Sequence, residues 1–209
     1  AELIVSHHPV IFHPVKSMTD QEPVGRKLLF LAEYGIAAIC AHTNLDAVKD
    51  GVNDCLARAA GLTEIELLTE DGTDRNGNLY GIGRVGVLGG NAAGLCLKDY
   101  AMQVKNALGA NGVRLVDTGR PVHKVAVGGG ACADMIGDVI AKGCDTFVTS
   151  DVKYDGFLNA KALGVNLIDA GHFPTENVVV PALADYLRTH LNGVDVRQSL
   201  RHCEVFSYL

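Results

Sequence analysis

The sequence has 209 residues, 48% hydrophobic and 20% charged, with a formal charge of −6. That balance suits a globular chain with a sizeable core and excludes a largely disordered one. No apolar run reaches the ~20 residues of a membrane helix, no signal-peptide pattern opens the sequence, and an acidic chain without a basic run is a poor partner for nucleic-acid backbones; a cytoplasmic protein is expected.

Residues 2–5 already read as a strand, so a further segment is expected to precede Ala1. Thr19 or Asp20 is expected to cap a helix with Pro23 in its first turn and Val24, Leu28, Leu29 and Leu31 along it, ended by Gly35. The continuous apolar run 35–41 predicts a strand buried on both faces. A helix follows over about 51–60, closed by Gly61. The middle of the chain changes character. Strands are expected at Ile65–Leu68, over 79–88 and at Val113–Val116, with turns at Asp71-Gly72 and Asn76-Gly77-Asn78 and a helix over 94–108. From Lys124 strands and helices alternate again. Strands are predicted at 125–127, 146–149 and 165–169, and helices around Met135–Ile140, over 156–163 and over 175–189. A last strand pair is predicted at 194–197 and 203–206. The reading is an α/β fold with largely parallel sheets: an N-terminal lobe over 1–62, a connecting α+β segment over 63–123 and a C-terminal lobe over 124–209.

Six cysteines are scattered with no CxxC, which predicts reduced thiols rather than a zinc knuckle or a disulfide framework. Cys40 and Cys144 lie in or beside apolar runs and are expected to be buried.

Residues that bind metals gather where strands end: His7-His8 after the first strand, His42 and Asp46 after the second, and His172 and Glu176 after 165–169. In open α/β sheets ligands collect at the C-terminal ends of strands. Neighbouring histidines on an extended segment point to opposite sides, so His7 and His8 suit two adjacent ions unless the backbone bends. His172 and Glu176 are four apart and share a face once a helix starts, with Pro174 in its first turn and Thr175 at its entry. Asp46 offers a hard oxygen, and His42 is expected to orient it. A mixed nitrogen and oxygen set without thiolate suits Zn, Fe, Mn, Co or Ni. Five ligands leave coordination positions open on two ions, the mark of a catalytic site. The Gly128-Gly129-Gly130 loop after a strand has two readings, a phosphate cradle and, preferred, a tight turn. Lys153 and Tyr154 are read either as anion binders or as an exposed helix start, and Asp151 as a helix cap. His123, His190 and His202 are isolated and are read as ordinary surface or interface residues.

Taken together, Ser6-His7-His8-Pro9, His42-Thr43-Asn44-Leu45-Asp46, Gly128-Gly129-Gly130, Thr149-Ser150-Asp151-Val152-Lys153-Tyr154 and Gly171-His172-Phe173-Pro174-Thr175-Glu176 resemble the GTP cyclohydrolase 1 type 2 homolog family, the Nif-three-like dinuclear-metal proteins. The resemblance implies a dinuclear centre held by His7, His8, Asp46, His172 and Glu176, with Glu176 bridging. It further implies two similar lobes facing a central cleft, a toroidal hexamer and the family's short form, here without its N-terminal segment. Asp155 stands where many members have His, and Ser150 where Gly is common.

Two functions follow. One is a metal-dependent hydrolase acting on a nucleotide or related small molecule, with His42 as candidate acid; paired ions can activate water and clamp a reacting oxygen. The other is a non-enzymatic metal-binding, delivery or scaffold hexamer.

Overall fold

The computed structural model describes residues 1–89 and 94–209. The chain divides into two compact units, Ala1–Leu45 and Asp46–Leu209.

In the first unit β1 (Leu3–Ser6) and β2 (Ala37–Cys40) pair in parallel, with Leu3 opposite Ala37 and Ser6 opposite Cys40. A parallel pair needs a crossover, and α1 (Pro23–Glu33) supplies it. Pro23 opens this helix, where its missing N–H costs nothing. The cap position falls to Glu22 rather than to Thr19 or Asp20, and no side chain bonds the helix end. The 19–20 segment instead lies across α1: a Cβ on Gly25 would collide with the Thr19 carbonyl, and Arg26 Nε donates to the Asp20 carbonyl at 3.0 Å. The expectation of a doubly buried strand at 35–41 fails, because all four residues of β2 are exposed, Ile39 by 55%. Only one strand pairs with β2 among the described residues. Phe30 of α1 and Tyr34 at its C-terminal cap bring their rings to 4.5 Å at a tilt and are themselves exposed. Cys40 is therefore exposed as well.

A short helix, α2 (Thr43–Ala47), follows; the sequence reading missed it. The second unit then builds a six-stranded sheet. Its strands are β3 (Leu62–Leu67), β6 (Arg84–Leu88), β7 (Arg114–Val116), β8 (Lys124–Val127), β9 (Thr146–Thr149) and β10 (Asn166–Asp169), in the spatial order β3-β6-β8-β9-β10-β7. The hairpin β4 (Gly72–Thr73) with β5 (Leu79–Tyr80) stands apart, its turn held by Asp74 accepting the amides of Asn76 and Asn78 at 2.8 Å.

Within this sheet, among the described residues, only β8, β9 and β10 run parallel. They are the strands joined through helices, α5 (Ile136–Ala141) and α6 (Tyr154–Leu163). The pairs β3–β6, β6–β8 and β10–β7 are antiparallel. The sheet is thus mixed rather than largely parallel. The stretch 63–123 places β3, β6 and β7 in the same sheet as the C-terminal strands instead of forming a separate segment.

Strand pleating divides the core cleanly. Val125, Val127, Val148 and Ile168 point to one face, with α3 (Val52–Ala59) and α4 (Leu97–Leu108). Ala126, Phe147 and Leu167 point to the other, with α5 and α6. Cys144 is buried in that second layer, as expected. Arg84 is the buried polar hub. Its guanidinium makes two 2.9 Å bonds to Asp54 and donates to the carbonyls of Ala47, Val48, Gly81 and Gly83. Each donor of this buried ion finds a partner, the condition under which such burial is tolerable.

The last helices are α7 (His172–Asn177) and α8 (Val179–His190). α7 starts three residues earlier than the sequence suggests, so Thr175 lies inside it rather than at its entry. Residues 194–197 and 203–206 form no strands. This tail is held by single bonds, such as Arg188 Nε to the Val196 carbonyl at 3.1 Å. No described helix is long and apolar enough to cross a membrane.

Candidate metal centre

In the first unit β1 ends at Ser6, and its hydroxyl donates to the His8 carbonyl at 2.8 Å. This local bond bends the chain just past the strand. The bend removes the opposed arrangement expected of adjacent histidines: the rings of His7 and His8 lie 5.1 Å apart. His42, just past β2, brings its ring to 5.2 Å from each. One ring nitrogen from each of the three lies within 4.8 Å of the others. His7 Nδ1 sits 2.8 Å from the Ala41 carbonyl. That bond fixes Nδ1 as the protonated nitrogen and makes Nε2 the one suited to a metal, the usual way a carbonyl orients a ligating imidazole. His42 thus joins the histidine cluster itself.

In the second unit the His172–Glu176 spacing works as the sequence suggests. Both are on α7, with His172 Nε2 3.0 Å from Glu176 Oε1. On the other side of the ring, Nδ1 lies 2.7 Å from Asp151 Oδ2. The Glu176 carboxylate, seconded by Asp151 and opposed by partial burial, pushes the imidazole pKa up to about 9. Asp151 follows β9 with φ +53, a backbone region uncommon outside glycine. It is not a helix cap: Lys153 occupies that position on α6, and Asp151 holds His172 instead.

Asp46 lies on α2. Its carbonyl accepts Asn53 Nδ2 at 3.0 Å, and Asn53 Oδ1 accepts the Gly129 amide at 2.9 Å. The loop Gly128–Gly130 is therefore a tight turn and no phosphate cradle. Its amides are spent on the Val148 carbonyl, Asn53 and Thr175, at 2.9, 2.9 and 3.1 Å. At Gly130, with φ +66, a Cβ would run into the Glu176 carboxylate and stand 3.3 Å from His172 Nε2. Glycine is required there so that the loop can approach this pair. Cys132 closes the loop by donating its thiol to the Gly129 carbonyl at 3.2 Å. Burial first, then the Asp46, Asp134 and Glu176 carboxylates, push that thiol up to about 12. Lys153 and Tyr154 are exposed at the start of α6, as is Asp155.

These residues fit a divalent cation. Each unit by itself gathers imidazole or carboxylate donors: the rings of His7, His8 and His42 in the first, and His172 Nε2 beside the Glu176 carboxylate in the second, with His7 and His172 each anchored at Nδ1 and backbone lining the approach to Glu176. Among the described residues, no cysteine belongs to the groups of converging donor atoms.

The sequence reading missed Asp151 as a partner of His172, although it sits at a strand end like the other site residues. It also missed Asn53 and Thr175, polar residues inside helices that carry no local signal. His202 is exposed, as the sequence suggests, and its ring centroid lies 4.9 Å from that of Phe173.

The family model described as Duf34/NIF3 (NGG1p interacting factor 3) matches residues 1–203. A Clostridium perfringens protein named GTP cyclohydrolase 1 type 2 homolog is 31% identical over 194 residues, 92% of this chain and 72% of that protein. A Streptococcus pneumoniae protein of the same name is 31% identical over 177 residues, 82% of this chain and 63% of that protein. The chain thus spans between 63% and 72% of these relatives' length. The crystal structure of a Staphylococcus aureus hypothetical protein superposes with a TM-score of 0.87 at 26% identity, over 100% of this chain and 80% of that one. Its mixed α/β fold is shared, and with the family model running through nearly every residue, this chain belongs to the Duf34/NIF3 family.

Proposed function

We propose that this chain binds two divalent metal ions and acts as a metal-dependent hydrolase on a nucleotide or related small molecule. The observation that carries the reading is His172, anchored at Nδ1 by Asp151 and presenting Nε2 3.0 Å from the Glu176 carboxylate. A histidine gripped by a carboxylate on one nitrogen and paired with a potential ligand on the other is the usual arrangement of a metal-binding imidazole.

His7, His8, Asp46, His172 and Glu176 would hold the ions, with Glu176 shared by the two ions. Bound ions of this class supply Lewis-acid activation of water and of a phosphoryl or carbonyl oxygen. The chain's own groups do the rest. Asp151 keeps His172 in one tautomer, Ala41 does the same for His7, and Gly130 keeps the approach to Glu176 clear. His42, clustered with His7 and His8, is the group we assign to proton transfer at the leaving atom. The relatives' name, GTP cyclohydrolase 1 type 2 homolog, makes GTP the first substrate to try.

The test is a hydrolysis screen of GTP, other nucleotides and simple phosphoesters with metal-loaded protein. Turnover that disappears in Glu176→Gln and on chelation is expected. A chain that holds its metal yet turns over none of these would contradict the hydrolase reading and favour metal storage or delivery.

A further inference from the structure

The three second-unit residues assigned to the metals come from two separated stretches, α2 and α7. One chain of buried and part-buried hydrogen bonds runs between them. The Asp46 carbonyl accepts Asn53 Nδ2 at 3.0 Å, and Asn53 Oδ1 accepts the Gly129 amide at 2.9 Å. One residue on, the Gly130 amide donates to Thr175 Oγ1 at 3.1 Å. The Thr175 hydroxyl turns back to the carbonyls of Gly171 and His172 at 2.8 and 2.9 Å. Asn53 is 1% and Thr175 0% exposed. Val52 and the Thr175 carbonyl press on Gly129, where a Cβ would stand 2.8 and 3.3 Å from them. Thr149 Oγ1 and the Ser150 amide pin the Gly130 carbonyl from behind, at 3.2 and 3.0 Å.

We propose that Asn53 and Thr175 are positioning residues that fix, through the Gly129–Gly130 turn, where Asp46 stands relative to the His172–Glu176 pair. This rests on the metal-binding reading above. The physical argument is one of stiffness. Two side chains with both hydrogen-bonding ends engaged leave the turn no alternative partner inside a dry interior. The carboxylate of Asp46 and the donors of α7 then meet a cation at a preset separation instead of assembling around it. Neither residue is assigned contact with metal or substrate.

The test uses Co²⁺ as probe, read by its affinity and its visible spectrum. Thr175→Val keeps shape and removes the hydroxyl; Thr175→Ser keeps the hydroxyl. Asn53→Ala breaks the other link. Thr175→Val and Asn53→Ala should each weaken Co²⁺ binding by about tenfold or more and alter the spectrum, with Thr175→Ser restoring both, as for other residues that orient ligands. In the metal-free protein Thr175→Val should also shift the His172 imidazole resonances, and Asn53→Ala the Asp46 carboxyl resonance. Wild-type affinity and spectrum in both variants would overturn the proposal. So would a Thr175→Ser protein as impaired as Thr175→Val, since bulk rather than the hydroxyl would then matter. If the unmodified chain takes up no Co²⁺, the metal-binding reading fails on its own. The positioning claim is then decided by the metal-free resonances: shifts in both variants support it, and unchanged resonances overturn it.

Discussion

β2 and β10 are both four-residue strands that follow a helix and precede a metal-type histidine, yet every residue of β2 is exposed and every residue of β10 is buried. Their neighbours account for the difference. β10 has β9 on one side and β7 on the other, with α6 over one face, whereas among the described residues β2 pairs with β1 alone. Among residues 1–45 only Gly25 is buried, while the second unit carries two apolar layers. Local pattern makes the strand; the surrounding elements decide whether it contributes stability.

The contrast can be broken most directly by core truncation. Phe147→Ala, at a fully buried site, should cost about 3–5 kcal/mol, whereas Ile39→Ala, 55% exposed, should stay within about 0.5 kcal/mol. Denaturant unfolding of the two variants checks this, and equal losses would mean that the first unit has a core of its own.

The site sharpens the comparison. Asp151→Asn should weaken metal binding by about 10–100-fold, because His172 loses the carboxylate that orients it. Calorimetric titration would show this. An unchanged affinity would remove Asp151 from the account.

A smaller effect is the pH dependence of the metal-free protein. The pKa of His172 is raised to about 9 in the fold, above an unfolded value near 6.5. Its protonated pairing with Glu176 and Asp151 therefore stabilises the second unit fully below about pH 6.5, and that contribution is lost as pH rises through about 9. Thermal melts of wild type and His172→Gln should diverge in acid and converge in alkali. Melts that differ equally at all pH values would contradict the pairing.

The mildest test is thiol labelling at pH 8. Cys40 in the first unit, with Cys96 and Cys203, is exposed and should react first. Cys132, its thiol held protonated with a pKa near 12, and buried Cys144 should react last. Fast labelling of Cys132 would mean that the Gly128–Gly130 turn opens.

The strands and helices of the second unit were largely legible, since Val125–Val127 is a short apolar run and Thr146–Thr149 is rich in β-branched and aromatic residues, each set off by glycine or polar loops. The mixed direction of the sheet was not, because periodicity cannot say which strands pair. Residues 194–197 and 203–206 alternate like strands but pair with no strand among the described residues. At the site the i, i+4 spacing of His172 and Glu176 was readable from the sequence. Bending at His7-His8 was not, since it depends on the Ser6 hydroxyl reaching the His8 carbonyl. The partnership of Asp151 with His172 joins residues that are 21 positions apart, which only the packing of β9 beside β10 reveals.

The measurement that tests the central claim most directly is the metal content of protein purified without added metal, by elemental analysis, alongside His8→Ala and Glu176→Gln. The account predicts two divalent ions per chain in the wild type and clearly fewer in both variants, because His8 and Glu176 both belong to the proposed ligand set. Near-zero metal in the wild type, unrecovered on adding Zn²⁺, Mn²⁺ or Fe²⁺, would contradict it; loss in Glu176→Gln alone would strike the first unit's histidines from the ligand set.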